Sequence, residues 1–305
     1  MASTPDNQPI VVLGAARSGT KMLRGLIAAA DGMRPVPYDV NYIWKYGNEG
    51  VPHDELGPAH ATPRTANFIR KQLQRCASGT PQANGPIVEK TVGNILRIPF
   101  VATVLPEARY VVLIRDGRDV IESAWRCWQE PPRLGYLAAK LRTFPWLSCA
   151  GYGWRFATGT AGRMTGLRNS LPSWGPRYEG IDEDVAQCEL LEVCARQWAN
   201  CMTKYGHDRG FVASDRLLEI RYEQLVDQPS AVIERLSAFL NIPQAAMLRH
   251  AEHTIRAGNV GKFRKLDSQQ LKLIDRAAGA ALAEFGYAPA GAEEPSETDI
   301  QRRAA

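Results

Sequence analysis

Residues 9–21, with the sequence PIVVLGAARSGTK, decide the fold class of this 305-residue chain. The apolar run at 9–13 predicts a buried strand, and a helical run begins at Lys21. The loop between them is bounded by Gly14 and Gly19. The backbone N–H groups of such a loop and the N-terminus of the following helix face an anion, and Lys21 adds a positive charge. The stretch therefore predicts a phosphate-binding loop in an α/β fold.

The order of two loop residues separates this loop from that of nucleotide kinases. A Walker A loop ends in Lys followed by Ser or Thr, whose hydroxyl binds Mg²⁺. Here Thr20 precedes Lys21. The loop can still bind a phosphate, but its hydroxyl is not at the position that binds Mg²⁺ in a Walker A loop. The sequence therefore disfavours a P-loop kinase, which stays as an alternative, together with a glycine-bounded turn of purely structural role.

Strands and helices alternate along the rest of the chain. Apolar runs predict further strands at 86–90, 110–114 and 216–221. Helices are predicted at 62–77, 182–205, 229–240 and 268–285, with further helices that end near 106 and 128. This alternation predicts a P-loop-like, doubly wound parallel sheet flanked by helices. The run YVVLI at 110–114 is apolar throughout, as expected of a central strand that is buried on both faces.

A single domain at 9–287 accommodates the predicted sheet. Residues 33–60, rich in aromatic residues, Pro and Gly, are predicted to be irregular and exposed. Residues 130–180 have weak periodicity and many Gly, Pro, Trp and Tyr residues, which predicts a lid-like insertion. We expect the domain to be flanked by a flexible N-terminus at 1–8 and a disordered tail at 288–305.

A second anion site is predicted where the strand at 110–114 ends. Arg115 follows this strand directly, and Ser123 lies on the next helix. Ligands bind outside the carboxyl ends of strands in open parallel sheets, and an Arg with a nearby hydroxyl binds a phosphate through charge-assisted hydrogen bonds. The alternative is a surface Arg115 paired with Asp116 or Asp119, beside a Ser in the first turns of the helix.

These segments resemble the sulfotransferases that use 3′-phosphoadenosine-5′-phosphosulfate (PAPS). ARSGTKML at 16–23 is similar to the 5′-phosphosulfate loop, and VVLIRDGRDVIESAW at 111–125 to the 3′-phosphate strand–helix motif. Further segments resemble the branch that includes tyrosylprotein and bacterial saccharide or small-molecule enzymes: IVEKTVGNILRI (87–98), EIRYEQLVDQP (219–229) and NVGKFRK (259–265) before a helix that ends in FGY. The resemblance covers residues 10–126 and 195–287, with the motifs in the family's order.

The resemblance implies roles for individual residues toward the nucleotide. Those that would cradle the 5′-phosphosulfate are Arg17, Ser18, Gly19, Thr20, Lys21 and Met22. Arg115 and Ser123 would hold the 3′-phosphate, and Tyr222 would line the adenosine side. Gly261 and Lys262 would close over the 3′-phosphate. The resemblance implies no metal, because the protein's own cations neutralise the nucleotide.

Transfer to a hydroxyl requires stabilisation of charge on the leaving oxygen and a general base. Lys21 and Lys90 are the candidates for the first task, assisted by Arg17. Asp39 is the predicted base, because the tyrosylprotein branch carries a Glu about this far beyond the loop Arg; here the residue is Asp and lies one position away.

Other assignments stay open for the base and for the acceptor site. The structural alternative for Asp39 is an Asx turn in a Pro-rich loop. His53 and His60 are the other candidate bases, and Lys90 or Glu89 takes the proton if none of these does. Several aromatic residues form either an acceptor platform or core packing: Tyr42, Trp44, Tyr46, Trp146, Tyr152 and Trp154.

Composition narrows the protein class. Apolar residues make up 45% and charged residues 23% of the chain, which is enough for a full core. The net charge of +5 suits an anionic ligand, but the basic residues form no long run, so no nucleic-acid partner is expected. No apolar stretch approaches about 20 residues, so no transmembrane segment is predicted. The start MASTPDNQP lacks secretory-signal features, which leads us to expect a cytoplasmic protein with reduced core cysteines.

The sequence thus predicts an enzyme that transfers a sulfuryl group from PAPS to a hydroxyl by in-line attack, with a carboxylate as general base. A carbohydrate or small metabolite is the expected acceptor; a phenol, a lipid and a peptide tyrosine stay open. The alternatives are a P-loop kinase of a small molecule and a non-catalytic nucleotide-binding protein. A homodimer is left open.

Overall fold

A parallel five-stranded sheet lies at the centre of the computed structural model, which describes residues 7–77, 85–129 and 175–287. Its strands are β1 (Ile10–Leu13), β2 (Arg34–Pro35), β3 (Ile87–Glu89), β4 (Arg109–Ile114) and β5 (Leu217–Arg221). They lie in the order β2-β3-β1-β4-β5, and every pairing is parallel. Val11 of β1 stands between Glu89 of β3 and Tyr110 of β4, so the loops that follow these strands leave the same edge.

Helices cover both faces of the sheet. In the described ranges they are α1 (Thr20–Ala28), α2 (Asn41–Trp44), α3 (Pro63–Ala77), α4 (Ile98–Val104), α5 (Gly117–Gln129), α6 (Ile181–Gln187), α7 (Leu190–Asp208), α8 (Tyr222–Asp227), α9 (Pro229–Leu240), α10 (Ala245–Thr254) and α11 (Ser268–Glu284). Val11 and Leu13 of β1 pack into one core with α3, α4, α5, α7 and α11. Ile10 and Val12 pack into a second core with α1, α9 and α10. The predicted doubly covered α/β sheet is confirmed.

The helix predicted over 182–205 divides into α6 and α7. Cys188 between them has an extended backbone, with φ −109° and ψ 158°. The acidic residues expected to cap the helix lie inside the first turn of α6, and the cap position is Gly180, with φ 91°. Regular elements that the sequence analysis did not predict are β2, α2, α8 and α10.

The segment 33–60 is folded into the core, so the prediction that it is exposed was wrong. β2 pairs with β3 and brings the chain beside the sheet. Val40, Ile43 and Trp44 are each at most 1% exposed. The Pro- and Gly-rich composition reflects turns between buried positions, because Pro and Gly interrupt regular structure wherever the chain lies.

Most of the predicted insertion at 130–180 lies outside the described residues, as do 1–6 of the N-terminus and the tail at 288–305. The cysteines of the described ranges are free thiols, and Cys194 and Cys201 are fully packed in the core. Burial raises the pKa of the Cys194 thiol to about 12, so it stays protonated. None of the helices in the described ranges has the length and apolar character needed to cross a membrane.

Candidate active site

Two glycines shape the loop between β1 and α1. Gly14 and Gly19 have φ angles of 152° and 97°. A Cβ atom on Gly14 would lie 2.7 Å from the carbonyl oxygen of Leu113, and one on Gly19 would lie 2.8 Å from the ring of Tyr222. Both positions require glycine, because the loop packs directly against β4 and against the residue that follows β5. Arg17 also has a positive φ of 75°, which is unusual for a residue with a side chain.

The same loop contains polar groups that fit an anion. Ser18 is 1% exposed, and its hydroxyl makes no hydrogen bond with the described residues. Helix α1 begins at Thr20 after Gly19, without a side-chain cap. An unpaired buried hydroxyl beside an uncapped helix N-terminus fits a phosphate oxygen. Lys21 is exposed and pairs with no residue that the structure describes, whereas Met22 packs its side chain against the core.

Arg17 joins this loop to the second predicted anion site. Its Nε donates a hydrogen bond to the Ser123 hydroxyl on α5 at 3.0 Å. Arg115, at the end of β4, donates from Nη1 to the carbonyl oxygen of Arg17 at 3.1 Å. Arg115 also pairs with Asp119 at 3.4 Å, as the structural alternative expected. It is only 6% exposed, however, so it is not a surface residue.

Tyr222 and the loop at 259–265, called here the closing loop, surround Arg115. The Arg115 guanidinium lies 4.3 Å from the centroid of the Tyr222 ring. Its Nη2 donates to the carbonyl oxygen of Asn259. Lys262 donates from Nζ to the side-chain oxygen of Asn259 at 2.7 Å. The structure therefore gathers Arg17, Ser123, Arg115, Tyr222 and the closing loop at one edge of the sheet.

Lys90 and Asp39 form an ion pair at the same edge, just beyond β3. The Nζ–Oδ2 distance is 3.6 Å, and the side chains are 13% and 19% exposed. The Asp39 carboxylate also accepts hydrogen bonds from the N–H groups of Val92 at 3.0 Å and Asn41 at 3.3 Å. The Asn41 contact is the Asx turn considered as an alternative, so this carboxylate both shapes the turn and pairs with a cation.

Glu89, which precedes Lys90, is fully buried beside this pair. Its carboxylate accepts hydrogen bonds from Trp44 Nε1 at 3.1 Å and Asn94 Nδ2 at 3.0 Å. Burial raises the pKa of Glu89 to about 7, and hydrogen bonds from Thr91 and Trp44 act in the opposite direction. Because protein groups enclose it, Glu89 is a poor choice for taking a proton from a bound acceptor.

A buried ion pair, missed by the sequence analysis, supports the segment that carries Asp39. Arg97 and Asp54, whose side chains are 0% and 2% exposed, lie 3.6 Å apart. Asn41 bridges them, because its Nδ2 donates to Asp54 at 2.9 Å and its Oδ1 accepts from Arg97. The one available signal was a charge inside an apolar run, ILRIPF at 95–100.

Two of the described members of the predicted acceptor platform form core packing. Tyr42 and Trp44 are at most 1% exposed. Tyr46 stacks on Phe68, with ring centroids 3.5 Å apart. Three remaining members of the predicted platform lie outside the described residues: Trp146, Tyr152 and Trp154.

The rings of the two candidate histidines differ in their hydrogen bonding. Nδ1 of His60 accepts a hydrogen bond from the Gly57 N–H at 3.1 Å. Nδ1 of His53 is buried and makes no hydrogen bond within the described residues. Neither ring is joined to Asp39 or Lys90 by a hydrogen bond or ion pair in that part of the chain. Asp39 is therefore the candidate base with a cation beside it.

Comparisons with known proteins identify the family of the chain. The family described as "Sulfotransferase family" matches residues 9–141 and 160–246. Protein-tyrosine sulfotransferase 1 of Danio rerio is 24% identical over 284 residues, and the match spans 88% of this chain but only 64% of that relative's length.

Solved structures show the same fold. A sulfotransferase of Mycobacterium avium has a TM-score of 0.53 at 13% identity, with 95% of this chain and 79% of that chain covered. A sulfotransferase of Alicyclobacillus acidocaldarius has a TM-score of 0.51 at 12% identity, with 92% and 94% covered. At these identities the likeness concerns the fold alone.

Proposed function

The chain belongs to the sulfotransferase family, and on this basis we propose that it transfers a sulfuryl group from PAPS to a hydroxyl of a carbohydrate or small metabolite. The observation that carries the proposal is the hydrogen bond between Arg17 and Ser123. It joins the two predicted anion sites, called here the anion anchors: the phosphate loop after β1, and Arg115 with Ser123. A nucleotide with anionic groups on both its 5′ and 3′ positions uses both anchors. A nucleotide with a 5′-phosphate alone uses one of them.

The nucleotide residues divide into two groups in this proposal. The buried hydroxyl of Ser18 and the N-terminus of α1 bind the 5′-phosphosulfate, since they supply donors without partners in the described chain. Arg115, Ser123 and the closing loop bind the 3′-phosphate. Tyr222 lines the adenosine side, next to the guanidinium that its ring already contacts.

Transfer forms a bond between the acceptor oxygen and sulfur and breaks the bond from sulfur to the bridging oxygen of the phosphosulfate. Negative charge then develops on that bridging oxygen. Lys21 and Lys90 supply the positive charge that stabilises it, assisted by Arg17. Lys21 is suited to this task because it is exposed and gives up no contact with a described residue when it turns toward the nucleotide.

Asp39 takes the proton of the acceptor hydroxyl as this bond forms. Its Oδ2 is occupied by Lys90 and by the N–H of Val92. Within the described residues its Oδ1 has one contact, the 3.3 Å hydrogen bond from the Asn41 N–H, so Oδ1 is the oxygen that receives the proton. In this proposal Lys90 pairs with the base and also supplies positive charge toward the leaving oxygen, so it helps to align the acceptor with the sulfuryl group.

A tyrosyl hydroxyl is the second candidate acceptor. The observation that favours it is the similarity to a relative named protein-tyrosine sulfotransferase 1, over 88% of this chain. A phenol is more acidic than an alcohol, so a carboxylate base removes its proton more readily. The two acceptor classes are therefore compared in one experiment.

Incubation with sulfur-labelled PAPS and pooled acceptors, followed by mass spectrometry of the products, tests the proposal. The pools are saccharides, small alcohols and phenols, and tyrosine-containing peptides. We expect sulfated product from the saccharide or small-metabolite pools, and none from an Arg115→Ala control. Labelled peptides alone would move the acceptor to tyrosine. Nucleotide binding without product from any pool would favour a non-catalytic nucleotide-binding protein.

A further inference from the structure

Asp119, in the first turn of α5, is a buried carboxylate to which the proposed reaction assigns no task. It is 1% exposed. Its Oδ2 accepts a hydrogen bond from the Gly261 N–H at 2.8 Å, and its Oδ1 accepts one from the Phe263 N–H at 3.0 Å. Its Oδ2 also lies 3.4 Å from Nη2 of Arg115. One carboxylate thus holds both the closing loop and the guanidinium at the second anion anchor.

These contacts determine which donors of Arg115 are left for a ligand. Nη2 is shared between Asp119 and the carbonyl oxygen of Asn259, and Nη1 is bound to the carbonyl oxygen of Arg17. Nε is buried and has no partner within the described residues. Since a guanidinium is planar and rigid, fixing its two Nη groups also fixes the direction of Nε.

The closing loop is held by α5 through its backbone and through one ring. Gly261 has φ 75°, a left-handed turn that favours glycine and begins the short 3₁₀ helix at 262–265. The Arg118 guanidinium lies 4.0 Å from the Phe263 ring centroid and is itself paired with Asp116 at 2.7 Å. The first turn of α5 therefore aligns the loop, and Asp119 provides the contacts to the loop's N–H groups.

We propose that Asp119 is the positioning residue for nucleotide selection: by fixing Arg115 and the closing loop to each other, it makes affinity depend on the 3′-phosphate. The inference rests on the proposed function. A nucleotide without a 3′-phosphate makes no use of Arg115 or of the closing loop, so its affinity is independent of Asp119. Removing the charge of Asp119 therefore weakens the binding of nucleotides that carry a 3′-phosphate and leaves the binding of the others unchanged.

Calorimetry with adenosine 3′,5′-bisphosphate and with AMP tests this, using Asp119→Asn and the control Glu122→Gln. Glu122 lies one turn further along α5 and pairs with Arg126, and within the described residues it makes no hydrogen bond or ion pair with the closing loop or with Arg115. In Asp119→Asn an amide N–H group faces a backbone N–H group, so one loop contact is lost along with the charge. We expect the bisphosphate Kd to rise about 10- to 100-fold and the AMP Kd to change less than about threefold. Glu122→Gln leaves both unchanged.

If folded Asp119→Asn has the same ratio of the bisphosphate Kd to the AMP Kd as the wild-type protein, the inference is overturned while the proposed function stays intact. If the wild-type protein does not bind the bisphosphate, both are overturned. Hydrogen exchange of the wild-type protein gives an independent test that needs no stable variant. The amides of Gly261 and Phe263 should exchange more slowly with the bisphosphate bound than with AMP bound, and equal protection contradicts the coupling.

Discussion

Arg17 and Ser123 are 106 positions apart in the chain, and Nε of Arg17 donates a hydrogen bond to the Ser123 hydroxyl at 3.0 Å. Arg17 belongs to the loop after β1, and Ser123 belongs to the helix after β4. The adjacent, parallel pairing of β1 with β4 brings these two elements together. The two predicted anion sites therefore lie side by side, and in the proposed function the spacing between two phosphate groups is the main feature that they recognise.

The first prediction is that adenosine 3′,5′-bisphosphate binds more tightly than AMP. Loss of the 3′-phosphate removes charge-assisted hydrogen bonds to Arg115 and Ser123, worth roughly 2–4 kcal/mol in total. This corresponds to about a 30- to 1,000-fold difference in Kd, measurable by calorimetry. The same titration in EDTA should give the same Kd; a strict Mg²⁺ requirement would favour the kinase alternative, and equal affinities would contradict the assignment.

Lys21→Ala should lower kcat by about 100-fold or more, because it removes the ammonium group that stabilises negative charge on the leaving oxygen. The side chain is exposed and pairs with no described residue, so the melting temperature should stay at the wild-type value. Lys71→Ala, at an exposed position of α3, is the matched control and should keep wild-type kcat. A lower melting temperature with unchanged turnover would make Lys21 a structural residue.

Asp39→Asn should lower kcat/KM by about 10²- to 10⁴-fold while the Kd for the bisphosphate stays nearly unchanged. The amide keeps the size of the carboxylate but cannot accept the acceptor's proton. His60→Ala serves as the control, because His60 bonds to its own turn. If Asp39→Asn turns over normally and His60→Ala or His53→Ala does not, the base is a histidine.

Glu89 should make stability depend on pH in an unusual direction. Its pKa in the folded protein is about 7, raised by burial above the ordinary 4.5, so between these values the folded state binds more protons than the unfolded state. Its contribution to the free energy of unfolding therefore falls as pH rises from about 4.5 to about 7, by roughly 3 kcal/mol at most. Glu89→Gln cannot titrate.

Urea denaturation at about pH 5 and about pH 8 measures this effect. The stability of Glu89→Gln relative to the wild-type protein should rise between the two pH values. A difference that is independent of pH would mean that Glu89 is charged throughout. Glu122→Gln, which removes the α5 carboxylate that pairs with Arg126, controls for general charge effects.

The buried Arg97–Asp54 pair should be a large contributor to stability when one partner is removed. Arg97→Met removes the buried cation beside the Asp54 carboxylate, which costs about 3–5 kcal/mol of unfolding free energy. The pair of Arg126 and Glu122 gives the contrast, because the Arg126 side chain is 51% exposed and Arg126→Met should cost less than about 1 kcal/mol. Recovery of stability in the double variant Arg97→Met/Asp54→Leu would confirm that the lone charge is the cause.

The fold and the nucleotide half of the candidate site could be predicted because their signals are local. Continuous apolar runs such as YVVLI at 110–114 occur where a strand is covered on both faces. Gly14 and Gly19 mark backbone conformations and close contacts that exclude a side chain. These properties belong to a residue and its immediate neighbours, so they can be recognised without knowledge of the rest of the molecule.

The acceptor half depended on contacts that only the tertiary structure decides. Lys90 meets Asp39 because β2 pairs with β3, and Asp119 meets Gly261 because the closing loop returns to the start of α5. The same pairing of β2 draws Trp44 into the core, although its surroundings in the sequence are those of an exposed turn. Such contacts follow from the spatial order of the strands in the sheet, and no local pattern of residues specifies which distant side chain becomes a neighbour.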